Sequence, residues 1–149
     1  LNDLYPHSVN TFRVVTFLST QGLISVKYVI LRFGVNGSKV DNLSSGGQFI
    51  YFDPSGMPSE GSYDNNGFRK GERHINTGFL FSELKIPMLD CIKDLCKEAH
   101  KKFPYVRLIA WDVCVDINGE PKLIEWNAFR PGIYRTDALF GPFWANELF

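Results

Sequence analysis

The sequence predicts an α+β fold, an antiparallel sheet with packed helices. Three observations lead there: several short runs rich in β-branched and aromatic residues, turn signals close between them, and a single strong helical periodicity. At 149 residues, with 44% hydrophobic and 15% aromatic side chains, the chain can bury a core as one domain and has no disordered composition.

Taken in order, "TFRVVTFLS" (11–19) and "ISVKYVILRF" (24–33) read as strands, and the short "TQGL" between them predicts a hairpin. The segment 34–47, "GVNGSKVDNLSSGG", carries four Gly among Ser, Asn and Asp, and a polar loop of that length is functional or mobile. A further strand, "QFIYFD" (48–53), precedes a turn-rich stretch (54–78) with room for a short hairpin. Residues 87–103, "PMLDCIKDLCKEAHKKF", predict a helix. Pro87 suits its first turn, and Met88, Leu89, Ile92, Leu95, Cys96, Ala99 and Phe103 recur on one face. Two last strands, "VRLIAWDVCVD" and "PKLIEWN", flank Asn118-Gly119, and a Phe-rich tail follows with a possible short helix.

Sixteen basic and sixteen acidic residues cancel, which gives no support to a nucleic-acid or membrane-surface partner. No apolar run reaches the ~18 residues of a membrane span. Three cysteines, Cys91, Cys96 and Cys114, lack metal-type spacing and fit buried thiols in a reduced, cytoplasmic setting. The chain opens at Leu1 without a Met and almost at once with strand-like sequence, which predicts a fragment of a longer protein.

A turn centred on Asn118-Gly119 sets Val115 opposite Lys122, Val113 opposite Ile124 and Asp112 opposite Glu125. Asn127 joins the face of Glu125 by strand alternation, while Ile124 and Trp126 take the other face with Trp111 and Val113. Directly opposed carboxylates repel, so a raised pKa, a neighbouring Arg or Lys, or a bound cation must compensate. Two carboxylates and an amide oxygen are hard ligands and suit Mg²⁺ completed by water and phosphate. The rival readings are acids paired with Arg13 or Arg32 on a solvent-facing hairpin, and an acid/base pair of the glycosidase type.

The array "SVNTFRVVTF", "LRFG-NGSKVDN--SGG", "HINTG", "WDV----NGEPKLIEWN" and "RPG" resembles the C-terminal half of an ATP-grasp domain, in its sugar-transfer-associated branch. That branch is similar to the alpha-L-glutamate ligases. The resemblance covers about residues 8–132 and implies ATP and Mg²⁺ as cofactors, with Asp112, Glu125 and Asn127 holding the metal. It further implies that Arg13, Arg32 and Asn42 border the transferring phosphate or the acceptor. Arg13 would also contact nucleotide, and Gly46-Gly47 would let backbone approach phosphate or hinge a closing loop. His74 matches a family position but is expected to pack rather than act as a base. Trp126 departs from the small residue usual between the metal-binding Glu and Asn.

The implied function is an ATP- and Mg-dependent carboxylate ligase working through an acylphosphate and an amine acceptor, in cell-surface polysaccharide synthesis. The alternative is an inactive nucleotide-binding or interaction module beside a glycosyltransferase system. The family's N-terminal subdomain, which supplies lysines to the phosphates, has no counterpart within these 149 residues, so the piece alone is expected to be inactive.

Overall fold

The computed structural model describes residues 1–129 and 131. Among the described residues seven strands form one antiparallel sheet: β1 Thr11–Leu18, β2 Ile24–Phe33, β3 Gln48–Phe52, β4 Ser62–Tyr63, β5 Arg69–Gly71, β6 Leu108–Val115 and β7 Pro121–Asn127. Their order across the sheet is β5-β4-β3-β2-β1-β6-β7. One α-helix, α1 Leu89–His100, lies among the described residues, with 3₁₀ turns at Leu43–Ser45 and Phe81–Glu83. The predicted α+β class and the hairpin in the turn-rich stretch are both present. The helix is shorter than its periodicity suggested, because residues 87–88 and 101–102 form turns rather than continuing it. The short helix expected in the tail, and part of the "RPG" motif, fall on Arg130 and residues 132–149, which lie outside the described residues.

Strand alternation gives the sheet two unlike faces. Phe12 and Val14 of β1, Val29, Leu31 and Phe33 of β2, Ile50 and Phe52 of β3, and Ile109, Trp111 and Val113 of β6 pack with Leu89, Ile92 and Cys96 of α1. The opposite face has a smaller apolar floor of Val15, Tyr28, Ile30, Phe49 and Ala110. Arg13, Arg32 and Asp112 alternate onto that second face. Of the cysteines, Cys96 is buried, and burial pushes its thiol up to about 12. Cys91 is exposed on the outer side of α1, contrary to the expectation of a buried thiol, and Cys114 is half-buried.

Four loops share one construction: Ser19–Leu23, Asp53–Met57, Asp64–Phe68 and Asp116–Glu120. In each, the first residue's N–H donates to the carbonyl of the fifth (2.8, 2.9, 3.0 and 2.9 Å), and the fourth is a Gly at φ between 80° and 89°. The first side chain accepts from the fifth N–H: Ser19 Oγ from Leu23 and the Oδ1 atoms of Asp53, Asp64 and Asp116 from Met57, Phe68 and Glu120. This is a type I turn closed by a glycine bulge, and it makes the last hairpin one residue longer than the two-residue turn Asn118-Gly119 suggests. Val115 therefore pairs with Pro121, Cys114 with Lys122 and Val113 with Leu123, correcting the expected partners. A second irregularity between Asp112 and Val113 leaves Ile124 as an extra residue, and Asp112 pairs with Glu125 as expected.

Two buried histidines tie loops and helix to the sheet. His100 Nε2 donates to the Val106 carbonyl at 2.8 Å, and its Nδ1 lies 2.6 Å from Thr16 Oγ1, which also accepts from Trp111 Nε1 at 2.8 Å. His74 Nε2 donates to the Gly34 carbonyl at 2.9 Å, and its ring stacks on Tyr5. Its Nδ1 accepts from the N–H groups of Asn76 and Thr77, so the ring is a neutral Nε2–H tautomer that fixes the entry to the long loop. Its ring is buried and packed, as expected for a residue that ties loop to sheet.

Burial holds the His74 pKa below its ordinary value. Below about pH 6.5 the unfolded chain takes up a proton that the folded ring resists, so stability is lost as pH is lowered there and is level above it. Urea unfolding between pH 5 and 7.5 is expected to show this slope reduced in His74→Gln. Removing the ring in His74→Ala is expected to cost about 1–3 kcal/mol by orphaning the Gly34 carbonyl.

Candidate functional site

The second face carries a polar row perpendicular to the strands. Cross-strand pairing sets Ile30, Arg13, Asp112 and Glu125 side by side on β2, β1, β6 and β7. Asn127 sits one pleat further along β7 on the same face, opposite Ala110. Arg32 arrives from β2, opposite Thr11 of β1. Because the sheet register places each Cα, this cluster is as rigid as the sheet itself.

Asp112 is at its centre and only 4% exposed. Arg13 grips it as a fork, Nε to Oδ1 at 2.5 Å and Nη2 to Oδ2 at 2.9 Å, and Arg32 Nη2 reaches Oδ2 at 3.1 Å. Arg13 Nη1 also donates to the Pro131 carbonyl at 3.3 Å, which ties the chain after β7 to the row. Burial alone would raise the Asp112 pKa, but the hydrogen bonds and charge of Arg13, with the charge of Arg32, outweigh it and hold the carboxyl below its ordinary value. Arg13 is shifted upward in return, against its own burial.

The repulsion foreseen between Asp112 and Glu125 is thus relieved at Asp112 by arginines. That part of the arginine-pairing reading describes Asp112, although the residue is buried and not solvent-facing. Glu125 is exposed, and Asn127 Nδ2 donates to its Oε1 at 3.3 Å. Glu125 makes no ion pair among the described residues, yet its charge is felt by Arg13.

The long loop contributes a residue that the sequence reasoning missed. Asp41 Oδ2 accepts from the Thr11 N–H at 3.1 Å and from the Thr11 hydroxyl, and lies 3.7 Å from Arg32 Nε. Thr11 Oγ1 in turn accepts from Arg32 Nε and Nη2 at 3.0 and 2.6 Å. Asn42, the expected contributor, turns its side chain the other way: Oδ1 caps the 3₁₀ turn by accepting from Ser44 N–H and Oγ. The signal for Asp41 was available in "VDN", where the neighbouring Asn drew attention instead. Gly46 adopts φ 91° to end the turn. At Gly47 an added Cβ would lie 2.6 Å from the Asp41 carbonyl oxygen, so this glycine is required by the fold-back of the loop.

The donor set suits a hard divalent cation such as Mg²⁺ by its chemistry. Glu125 offers an exposed carboxylate, Asn127 an amide oxygen, and Asp112 an ionised carboxylate on the same face. The guanidinium contacts use one lone-pair direction of Asp112 Oδ1 and two of Oδ2, so Oδ1 retains a further one. Among the described residues no cluster of three or more His, Cys, Asp or Glu could hold a metal, so a cation here would need the amide and outside ligands. Trp126 points to the helix face as expected, its ring 4.6 Å from Phe103 and 6.3 Å from Trp111.

Asp112 is a structural ion in this fold. Its pair with Arg13 contributes stability above the unfolded carboxylate pKa of about 3.9, and that contribution is lost as pH falls through the lower folded value. Asp112→Ala is expected to cost about 3–5 kcal/mol by stranding buried guanidinium charge. Asp112→Asn is expected to flatten the acid limb of a stability–pH curve measured between pH 2 and 5.

The sequence matches the family described as sugar-transfer associated ATP-grasp over residues 1–141. Comparisons with curated proteins and with solved structures return no match. No described helix is long and apolar enough to cross a membrane. The matched span takes in the whole sheet, the arginine–carboxylate row and the loop that closes on it, and the chain belongs to the sugar-transfer-associated ATP-grasp family.

Proposed function

We propose that the chain is the C-terminal catalytic part of an ATP- and Mg²⁺-dependent carboxylate–amine ligase, completed by an N-terminal subdomain of the same protein. The family match supports an ATP-dependent, ligase-type function in general. The observation that favours the finer reading is the fixed row Arg13–Asp112–Glu125, flanked by Arg32 and Asn127, on a face not covered by the helix.

In this reading a substrate carboxylate takes a phosphoryl group to become an acylphosphate, which an amine then attacks. Asp112, Glu125 and Asn127 would hold Mg²⁺, whose contribution is to neutralise phosphate charge. Arg13 and Arg32 present guanidinium donors to charge that develops on the transferring group, and their pairing with Asp112 keeps them oriented before substrate arrives. The loop 34–47 would close over the reacting groups and limit water. Gly46 and Gly47 shape that loop, and any nucleotide contact they make is through backbone. A role in cell-surface polysaccharide assembly, in a cytoplasmic setting, extends this reading by analogy.

Glu125 gives the cleaner test, since Asp112 also holds the sheet together. In the full-length protein, Glu125→Gln and Asn127→Ala are expected to lower Mg²⁺- and ATP-dependent product formation by about 10²-fold or more, with unfolding midpoints close to the parent. Parent-like turnover in both variants would overturn the ligase reading in favour of an inactive module beside a glycosyltransferase system. The 149-residue chain alone is expected to show no ATP turnover.

A further inference from the structure

Asp41 belongs to a polar loop, yet its carboxylate is largely buried against the sheet, with 14% of the side chain exposed. A single oxygen, Oδ2, takes the Thr11 N–H and the Thr11 hydroxyl and faces the Arg32 guanidinium. A backbone amide, a hydroxyl and a fixed cation converging on one oxygen form the kind of cradle that holds a free anion. The donors stand on β1 and β2, whose positions the sheet fixes, whereas the acceptor stands on a loop.

The loop's other polar attachments lie toward its ends, and Leu43 packs on the apolar floor of the second face. Gly34 is held by Ser8 and His74, and Asn36 by Asn76, at one side; Gly46 and Gly47 close back on Leu43 and Asn42 at the other. Between them Lys39 and Val40 are exposed. Asp41 is the residue that fastens this exposed portion to Thr11 and Arg32.

We propose that Thr11 and Arg32 form an anion-binding pocket which Asp41 fills as an internal stand-in, so that an incoming phosphoryl or carboxylate oxygen displaces Asp41 and frees the loop. The identity of the natural anion rests on the ligase reading; the existence of the pocket rests on the geometry alone. Competition of this kind lowers apparent affinity by the fraction of time the pocket is vacated, about tenfold if Asp41 is bound nine-tenths of the time. The same exchange couples arrival of the anion to release of residues 38–41, and thereby times the movement of that part of the loop.

The test uses inorganic pyrophosphate, without nucleotide or metal, titrated into the intact protein and into Asp41→Asn and Asp41→Ala. Both variants are expected to bind pyrophosphate about tenfold more tightly than the parent. The Thr11 amide is expected to lose hydrogen-exchange protection in the variants and regain it with the probe. Equal or weaker binding in both variants, or no binding by any of the three proteins, overturns the proposal, as does Thr11 protection unchanged by the substitutions. Thr11→Val, which keeps the amide and removes the hydroxyl, should weaken binding in the Asp41→Asn background. Because the probe carries no metal, failure here is distinguishable from failure of the ligase reading, which the Glu125→Gln assay decides.

Discussion

The forked contact between Arg13 and Asp112 is the interaction on which the site depends. Both groups lie on the interior strands β1 and β6, and each is partly withdrawn from water. Alone, either charge would be costly at that depth; together, with Arg32 adding a third contact, they form a satisfied network. The network also sets the charge pattern around it. The two arginines balance Asp112 and Asp41, which leaves Glu125 at the edge strand as the carboxylate whose charge is not consumed by the sheet. A face arranged in this way is stable without a ligand and still presents anionic and cationic groups to one.

Much of this was legible in the sequence because the information was local. The β-branched runs at 11–18 and 24–33, and the helical spacing of Leu89, Ile92 and Cys96, each report burial of one face. The placement of Asp112 beside Glu125 followed from the Asn-Gly signal, although the details of the hairpin did not. The signal for the actual loop was also present: Asp-x-x-Gly recurs at 53, 64 and 116, each time with the carboxylate accepting from backbone four residues on. The dipeptide drew attention away from the longer pattern that contains it.

What was not legible depended on tertiary approach. No spacing rule connects Asp41 to Thr11, thirty residues earlier, and a loop side chain's direction depends on the whole course of the loop. Asn42 and Asp41 are neighbours with similar shape, and only the fold decides which faces the sheet. The burial of His100 follows the same logic: its partners Thr16 and Val106 come from a distant strand and from the turn after the helix. Cys91 looked like its helical neighbours by composition, yet it falls on the solvent side of the same twelve-residue helix.

The β6–β7 hairpin holds two departures from regular pairing, a lengthened turn at Gly119 and an extra residue at Ile124, and they offset each other. Undo the second alone and the strand slides so that Ile124 faces Asp112; undo the first alone and Trp126 does, and either slip replaces the carboxylate with an apolar side chain. The pairing of Asp112 with Glu125 therefore depends on both departures being kept in their places. The length of an outwardly ordinary turn is thereby under the same constraint as the acidic side chain several residues away.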